Sequence, residues 1–436
     1  MDDSANPPQR AAGNRDALTR GLTTGLIVFA STGSLLMAAL LSAEAHLRRS
    51  EQATLISRQH GLTLASAGHW QQELSGVAEQ LLMLRRHPGL QAALLSPGPS
   101  PTAVEVLLRY SQINPDILQA RLLSASGREQ LRINRTPAGL RVVPADQLQN
   151  KAERDYFREG FQAPLNSLYL SALDLNREHG SVERPLQPTI RLATAIPAPS
   201  DSRKLGMLVI NLNGNSLLNQ LPADARRLGL GLVETMVVNE DGFFLQHGQT
   251  GRRWGFEPLA YQGKAGGCAL NLRCSNPSLW ARLGSLASGS VTDASGQWSW
   301  QRLDSRMVLA PQRTASGQPL RVNPRRWWLI THVPAPALER HLQTQLAPFR
   351  ATGGIALALL GSLSLLAALL RRREVGLIAS LHQANANYAL LAENAADVVL
   401  TLERGRIRWI SASVQRYTDI AARCSPLWPS CSRTRR

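Results

Sequence analysis

The sequence predicts an α+β membrane protein in which two apolar helices bracket a mixed helix-and-sheet domain of about 300 residues. Three observations carry that expectation. Uncharged stretches of 23 and 20 residues lie at Gly21–Ala43 and Ala351–Leu370, each long enough to cross a hydrocarbon core. Between them, helical spacing of apolar residues gives way near Leu118 to short runs punctuated by glycine turns. Finally, four cysteines in 436 residues, against 44% hydrophobic residues, mean that an apolar core and not a disulfide scaffold must hold the domain together.

The charge balance has to be divided along the chain before it means anything. There are 48 basic and 31 acidic side chains, a net charge of +17, and only three of the bases are lysines (Lys151, Lys204 and Lys264). In bulk, such a balance points to nucleic acid or an anionic membrane. Residues 1–20 carry three bases and three acids, and residues 371–436 carry eleven and five. The remaining excess is spread over the region between the apolar stretches, with no run of five or more arginines. A domain held outside the cytoplasm has no access to chromosomal DNA, so no nucleic-acid partner is expected.

Residues 1–20 read as a cytoplasmic amino terminus and 21–43 as a first transmembrane helix. Ala43-Glu44-Ala45 has the small-x-small form of a cleavage site, which makes a signal peptide the competing reading. The uncharged core exceeds the usual h-region of about 7–15 residues, and a long polar helical pattern continues out of it. Both features favour an uncleaved anchor. Residues 351–370 form the second span, followed directly by Arg371-Arg372-Arg373. Basic residues abutting a span mark its cytoplasmic side, so both termini are expected in the cytoplasm and residues 44–350 outside it. In a bacterium with two membranes, the chain is then a multi-pass inner-membrane protein with its large domain in the periplasm, and the lipid bilayer is a partner.

Within that domain, Leu74, Val77, Leu81 and Leu84 recur at helical spacing until His87-Pro88-Gly89 interrupts them. A long stalk helix leaving the membrane is expected, then a turn at Pro97–Pro101 and a short helix over Ala103–Ile113. Gln119–Leu123, the turn Ser126-Gly127 and Glu129–Ile133 predict a first hairpin. Ser167–Ser171, Thr189–Ile196 and Gly206–Leu212 are further strands. Thr235–Asn239 and Phe243–Gln246 flank the turn Glu240-Asp241-Gly242. Gly289–Thr292, Trp298–Leu303 and Trp327–His332 continue a mostly antiparallel second sheet.

Several of these stretches resemble a known family. Gly127-Arg128-Glu129 through Arg132-Ile133-Asn134, Gln149-Asn150-Lys151 with Arg154-Asp155-Tyr156-Phe157, and Tyr169-Leu170-Ser171 with Leu175-Asn176-Arg177-Glu178 are similar to a double Cache domain. So are Pro188–Thr194, Asn239–Leu245 and Trp254-Gly255-Phe256. The resemblance spans roughly residues 45–345, in the version found ahead of PAS and diguanylate-cyclase modules in bacterial membrane receptors. It implies a PAS-like, membrane-distal module with a pocket for a small-molecule ligand, and a smaller membrane-proximal module.

By that resemblance Arg154, with Tyr156 and Phe157 beside it, stands where amino-acid-binding Cache domains clamp a carboxylate and close the cavity with aromatics. A guanidinium fork suits a carboxylate because it donates two parallel hydrogen bonds. Tyr169, Arg191 and Asn211 complete the expected ligand-binding set. Gln149 replaces an upstream tyrosine, and Asn211 stands where an acid would hold an amine. An asparagine gives no ionic pairing to an ammonium, so a carboxylate-bearing or otherwise anionic ligand is expected ahead of an α-amino acid. Competing structural roles are a surface ion pair of Arg154 with Asp155 or Glu159, core positions for the tyrosines, and a water-facing strand edge for Arg191.

Cys268 and Cys274 lie in a loop opened by Gly266-Gly267, and their short separation in an oxidising compartment makes them a disulfide candidate. No clustered His or Asp accompanies them, so no metal is expected. There is no zinc-protease motif, phosphate loop or nucleophile elbow, and hence no expected catalytic residue or cofactor.

Beyond the second span, Leu377, Leu381, Ala384, Tyr388 and Leu391 fall at 4-3-4-3 spacing, a short heptad seam in a signalling helix over 371–390. A homodimer stalk is the expectation, and packing on the chain's own domain the alternative. Leu391–Val399, Arg404-Gly405-Arg406-Ile407 and Trp409–Ser413 resemble the opening of a PAS domain over 391–420, with Val414–Thr418 opening its next helix. Residues 421–436, with two prolines, two cysteines and a basic end, match nothing in that fold, so an incomplete cytoplasmic PAS domain with an aberrant tail is expected. Full-length relatives imply an output such as diguanylate cyclase or histidine kinase, but no Gly-Gly-Asp/Glu-Glu-Phe run or phospho-acceptor box is present. The expected function is therefore an inner-membrane signal-transduction receptor with no enzymatic activity of its own. The alternatives are a membrane-anchored periplasmic binding protein, or a hydrolase using Asp174 and Glu178 as paired carboxylates in a loop.

Overall fold

The computed structural model describes residues 8–96, 100–178, 181–257, 267–309, 319–394, 397–398, 400–411 and 414. The expected turn at Pro97–Pro99, the start of the cysteine loop at Gly266, most of the helix expected to open at Val414 and the tail 421–436 lie outside the described residues. The chain divides into two compact units, Met1–Leu47 with Leu346–Arg436, and Arg48–Gln345.

Helix α1 (Pro8–Leu84) contributes to both units. In the second unit it buries Leu55, Leu62, Trp70, Leu74, Val77, Ala78 and Leu81, a stripe at three- and four-residue spacing that faces the core. The expected break follows. Pro88 opens α2 (Pro88–Leu95), and the His87 ring accepts the Gly89 N–H at 3.1 Å. Helix α3 (Pro101–Ile113) is capped by the Ser100 hydroxyl on the Ala103 N–H.

The first module is built from β1 (Ile117–Ser124), β2 (Glu129–Thr136) and β3 (Gly139–Val142), then α4 (Asp155–Gln162), β4 (Ser167–Leu170) and β5 (Asp174–Leu175). A small hairpin of β6 (Arg177–Glu178) and β7 (Ser181–Val182) follows, then the long strands β8 (Pro188–Pro197) and β9 (Lys204–Asn213) and helix α5 (Gly214–Arg227). The second module comprises β10 (Glu234–Asn239), β11 (Phe244–Gln246), α6 (Leu272–Ser275), α7 (Pro277–Ser285), β12 (Ser288–Asp293), β13 (Gly296–Asp304), α8 (Ser305–Leu309), β14 (Arg321–Val322) and β15 (Arg326–Pro334). Helix α9 (Ala335–Asn394) then leads to the hairpin β16 (Leu400–Glu403) and β17 (Arg406–Ile410).

The first sheet runs β14-β4-β8-β9-β1-β2-β3, with β5 also paired to β8; β14 joins β4 in parallel and the other pairs are antiparallel. The second runs β11-β10-β15-β13-β12, all antiparallel. The segment expected to be a loop at Asp174–Glu178 is instead two short strands, because Asp174 pairs with Thr189 and buried Leu175 with Pro188.

Side chains alternate across each sheet as a two-residue period requires. In the first sheet Ala120, Leu122, Ile190, Leu192, Leu208, Ile210 and Leu212 face α1 in the main core. Val237, Trp327, Leu329 and Val333 of the second sheet enter the same core. Trp70 ties α1 into it, its indole donating to the Leu217 carbonyl at 2.9 Å. Burying each such Leu or Ile side chain contributes roughly 1.5–3 kcal/mol.

In the other unit, Glu44 accepts from Arg350 Nε at 3.0 Å, so the charges that bound the two apolar stretches pair. Two helices, Leu26–Leu84 and Ala335–Leu391 within their described parts, contain windows long and apolar enough to cross a membrane by length and composition. Leu377, Leu381, Tyr388 and Leu391 of the heptad seam are all exposed on α9 in the single chain. The β16–β17 hairpin turns at Arg404 and Gly405, both at positive φ (56° and 75°), where the sequence placed a hairpin turn.

Candidate ligand-binding site

The face of the first sheet turned away from α1 is where the sequence departs from a purely apolar alternation. Register puts Arg121 beside Val209 and Arg191 beside Asn211, while two residues further along lie Leu123, Ala193 and Met207. One end of this face is therefore charged and the other apolar. The apolar end is covered by α4, through a cluster of Leu123, Tyr156, Phe157, Tyr169, Ala193, Met207 and Val209. The charged end stays open beneath α4 and the β4–β6 segment as a cavity of about 160 Å³.

Of the six residues expected from sequence, Arg154, Tyr156, Tyr169 and Arg191 line this cavity. Phe157 and Asn211 do not. Phe157 is buried in the apolar cluster and stacks on Phe161 with centroids 5.1 Å apart. Helical geometry sends consecutive residues of α4 in different directions, so Tyr156 meets the cavity while Phe157 packs elsewhere. Asn211 is 1% exposed and donates to Gln119 Oε1 at 2.8 Å. It serves as support behind Arg121, whose guanidinium also reaches the Asn211 carbonyl oxygen and Gln119.

Sequence reasoning missed Arg121, Lys151, Arg177 and Arg325, which also line the cavity. Arg121 carried a usable signal, a charge inside an apolar strand in phase with the sheet's outer face. Lys151 is positioned by the turn at Gly127. There φ is +80° and a Cβ would meet the Ala152 backbone at 2.6 Å, and the Lys151 N–H bonds the Gly127 carbonyl at 2.8 Å. Arg325 arrives from the second module. Asn323 exchanges two hydrogen bonds with the Leu170 backbone (2.7 and 2.8 Å), which sets Arg325 against Glu240 and the Tyr169 hydroxyl.

Six cations against the carboxylates of Asp155 and Asp174 make the lining strongly basic. Most of these cations are already engaged. Arg121 sits 3.2 Å from Glu129, whose side chain is fully buried and also faces Arg132 at 3.3 Å. Arg191 binds Asp174 at 2.7 Å and Asn176 at 3.2 Å. Arg177 is bound to Glu257 at 2.6 Å, Arg325 to Glu240 at 3.1 Å, and Lys151 donates to Gln149 at 2.5 Å. Arg154, by contrast, has no hydrogen-bond or ion-pair partner for its guanidinium among the described residues. It is the N-cap of α4 but makes no side-chain cap. Asp155, its expected surface partner, pairs instead with Arg158 at 2.7 Å.

Burial raises both tyrosine hydroxyls above their ordinary range, against the pull of Arg121 on Tyr156 and of Arg325 on Tyr169. Both therefore remain donors at neutral pH. Burial likewise raises Asp174, with Arg191 opposing the shift. Together these groups can receive an oxyanion from several sides. Among the described residues, no group of three or more His, Cys, Asp or Glu side chains is arranged to hold a metal ion. Cys268 and Cys274 are joined as a disulfide with Cα atoms 4.9 Å apart.

With this geometry in view, comparison with known proteins is specific about the fold. Residues 117–305 match the family model of the bacterial histidine kinase sensor domain. No curated protein sequence matches the chain. The extracellular domain of vpHK1S-Z8, named as a histidine kinase, is 19% identical, with a TM-score of 0.51 over 66% of this chain and 96% of that one. A domain of a sensory box/GGDEF family protein from Vibrio parahaemolyticus is 18% identical, with a TM-score of 0.50 over 65% of this chain and 99% of that one. At these identities the structural likeness speaks to fold alone. Between its two long apolar helices the chain carries a mixed helix-and-sheet domain of Cache-like fold, and its segment 117–305 is similar to the bacterial histidine kinase sensor domain.

Proposed function

We propose that the chain is a multi-pass inner-membrane receptor that takes a small carboxylate-bearing anion into the Arg154 cavity on the periplasmic side. The observation that carries this reading is the contrast within the lining: Arg154 alone has no partner for its guanidinium among the described residues, while its neighbours are held in place by acids or amides. A pre-set ring of cations with one open guanidinium favours an anion over a neutral or cationic ligand. The two carboxylates of the lining are already paired, Asp174 with Arg191 and Asp155 with Arg158, which favours a simple carboxylate over an α-amino acid.

In this reading the outer domain acts as a receptor and not as an enzyme. Two copies associate along the exposed seam of α9, and a ligand that favours one of two arrangements of that dimer shifts the PAS-like segment after Leu391. Full-length protein in detergent micelles, screened against a panel of small mono- and dicarboxylates, tests the binding step. A rise in melting temperature that Arg154→Ala abolishes supports the proposal. No shift with any carboxylate, or a shift unchanged in Arg154→Ala, overturns it. For the dimer, Leu381→Cys should crosslink between copies in native membranes under mild oxidation, and its failure to do so removes the seam as an interface.

A further inference from the structure

Outside the candidate site lies a buried charge that has no counter-ion among the described residues. Arg85 directly follows α1 and is only 3% exposed. Its guanidinium donates to the Leu165 carbonyl at 2.5 Å and to the Thr194 hydroxyl at 3.0 Å, and its Nε is buried without a hydrogen-bond partner. Among the described residues no carboxylate pairs with Arg85 or with its exposed neighbour Arg86. The comparably buried Arg121 and Arg132 are both set against Glu129. Burial and the like charge of Arg86 push the Arg85 guanidinium down to about 10. A desolvated cation with no opposing charge is costly to hold, and a bound anion would relieve it.

The two arginines open onto a groove of about 690 Å³. Its walls are Gln91 of α2, the Leu165–Asn166 segment before β4, and the Pro197–Ser202 connection between β8 and β9. The only acid in the lining is Asp201, which is exposed and accepts the Arg203 N–H of its own turn at 2.8 Å. Gln91 is fixed by donating to the Pro197 carbonyl at 3.0 Å, so the wall beside the arginines is held in place. The rim also offers the hydroxyls of Ser200 and Ser202.

We propose that this groove is a second binding site, separate from the Arg154 cavity, for a small anion whose carboxylate or phosphate group is received by Arg85 and Arg86. Thr194 places the site on β8, the strand that also carries Arg191, so an anion here would join the end of α1 to the sheet that forms the candidate site.

The test uses full-length protein in detergent, titrated with sodium phosphate or with sodium acetate at constant ionic strength balanced by sodium chloride. Phenylglyoxal modification of Arg86, read by peptide mass, should show saturable protection in the wild type and in Arg154→Ala alike. Protection by phosphate alone or by both probes supports the site and identifies the group it takes. Thermal stabilisation by the same probe should weaken about tenfold in apparent affinity in Arg86→Gln, an exposed position, and in Arg85→Lys. Protection by neither probe overturns the proposal, and so does stabilisation that persists undiminished in Arg86→Gln. Because the Arg154→Ala arm reports on this groove alone, its outcome is independent of the carboxylate reading of the first cavity.

Discussion

The outer face of the first sheet carries Arg121, Arg191, Gln119 and Asn211 at one end, under the eight-residue helix α4. The same face of the second sheet carries Met236, Val238, Phe244, Trp298, Trp300, Trp328 and Ile330, closed by Leu272 of α6 and by Leu279 and Leu283 of α7. Both sheets turn their other face to the shared core around α1, so their inner architecture is alike. What differs is the residue type on the outward half of the alternation. Tryptophans fill the second module, with the Trp300 and Trp328 indoles bonded to the Leu286 and Leu283 carbonyls. Arginines hold the first one open, because guanidinium groups need partners and water and cannot be collapsed into a dry core. One module therefore keeps a polar cavity on that face, and the other closes it with packed side chains.

That contrast can be broken at its packed side first. Trp300→Ala removes a side chain that is 1% exposed and should cost about 3–5 kcal/mol, seen as a large fall in melting temperature. A loss under about 1 kcal/mol would mean that the outer layer of the second module is not dry.

On the cavity side, Glu129→Gln leaves Arg121 and Arg132 facing a neutral amide in a fully buried setting. A loss of about 3–5 kcal/mol is expected in denaturant unfolding. A near-neutral result would show that these arginines are balanced by something other than Glu129.

A pH measurement sharpens the second module's description. His247 is buried beside the Phe244 ring, its Nδ1 accepts the Gln249 N–H at 2.9 Å, and burial together with Arg252 lowers it to about 4. Between the ordinary histidine value near 6.5 and about 4, the unfolded chain takes up a proton that the folded chain refuses. Stability is therefore complete above about pH 6.5 and falls by about 3 kcal/mol as pH drops through that window. His247→Asn, which retains an acceptor for Gln249, should flatten this slope in pH-dependent unfolding.

The smallest effect on the fold is expected where the largest effect on binding is proposed. Arg154→Ala should change stability by no more than about 0.5 kcal/mol in the absence of ligand, since no partner is lost. A clear destabilisation would make Arg154 a structural residue and narrow the contrast between the modules.

Much of the architecture was legible because it rests on local patterns. The break at His87-Pro88-Gly89, the paired turns at Ser126-Gly127 and Asp241-Gly242, and the strand cores at Thr189–Ile196, Gly206–Leu212 and Trp327–His332 all lie within the observed elements or at their ends. The candidate site was half legible. Arg154 was marked by the resemblance to Cache domains and Arg191 by its place inside an apolar strand, and both line the cavity. Arg325 gave no such signal, because its place depends on Asn323 binding Leu170 from 153 residues away. Phe157 and Asn211 were expected in the wall from the resemblance to Cache domains. The turn of α4 and the depth of β9 put them behind it.

By itself the sequence determined the two apolar stretches, the strand and helix periods, and the chemistry available at each position, since these follow from composition and spacing along the chain. Only the tertiary structure decided which arginines meet, which are neutralised, and which are left facing a cavity. Desolvation and Coulomb interactions act through space, and whether an acid offsets the burial of an arginine, as Glu129 does for Arg121 and none among the described residues does for Arg85, depends on segments distant in sequence.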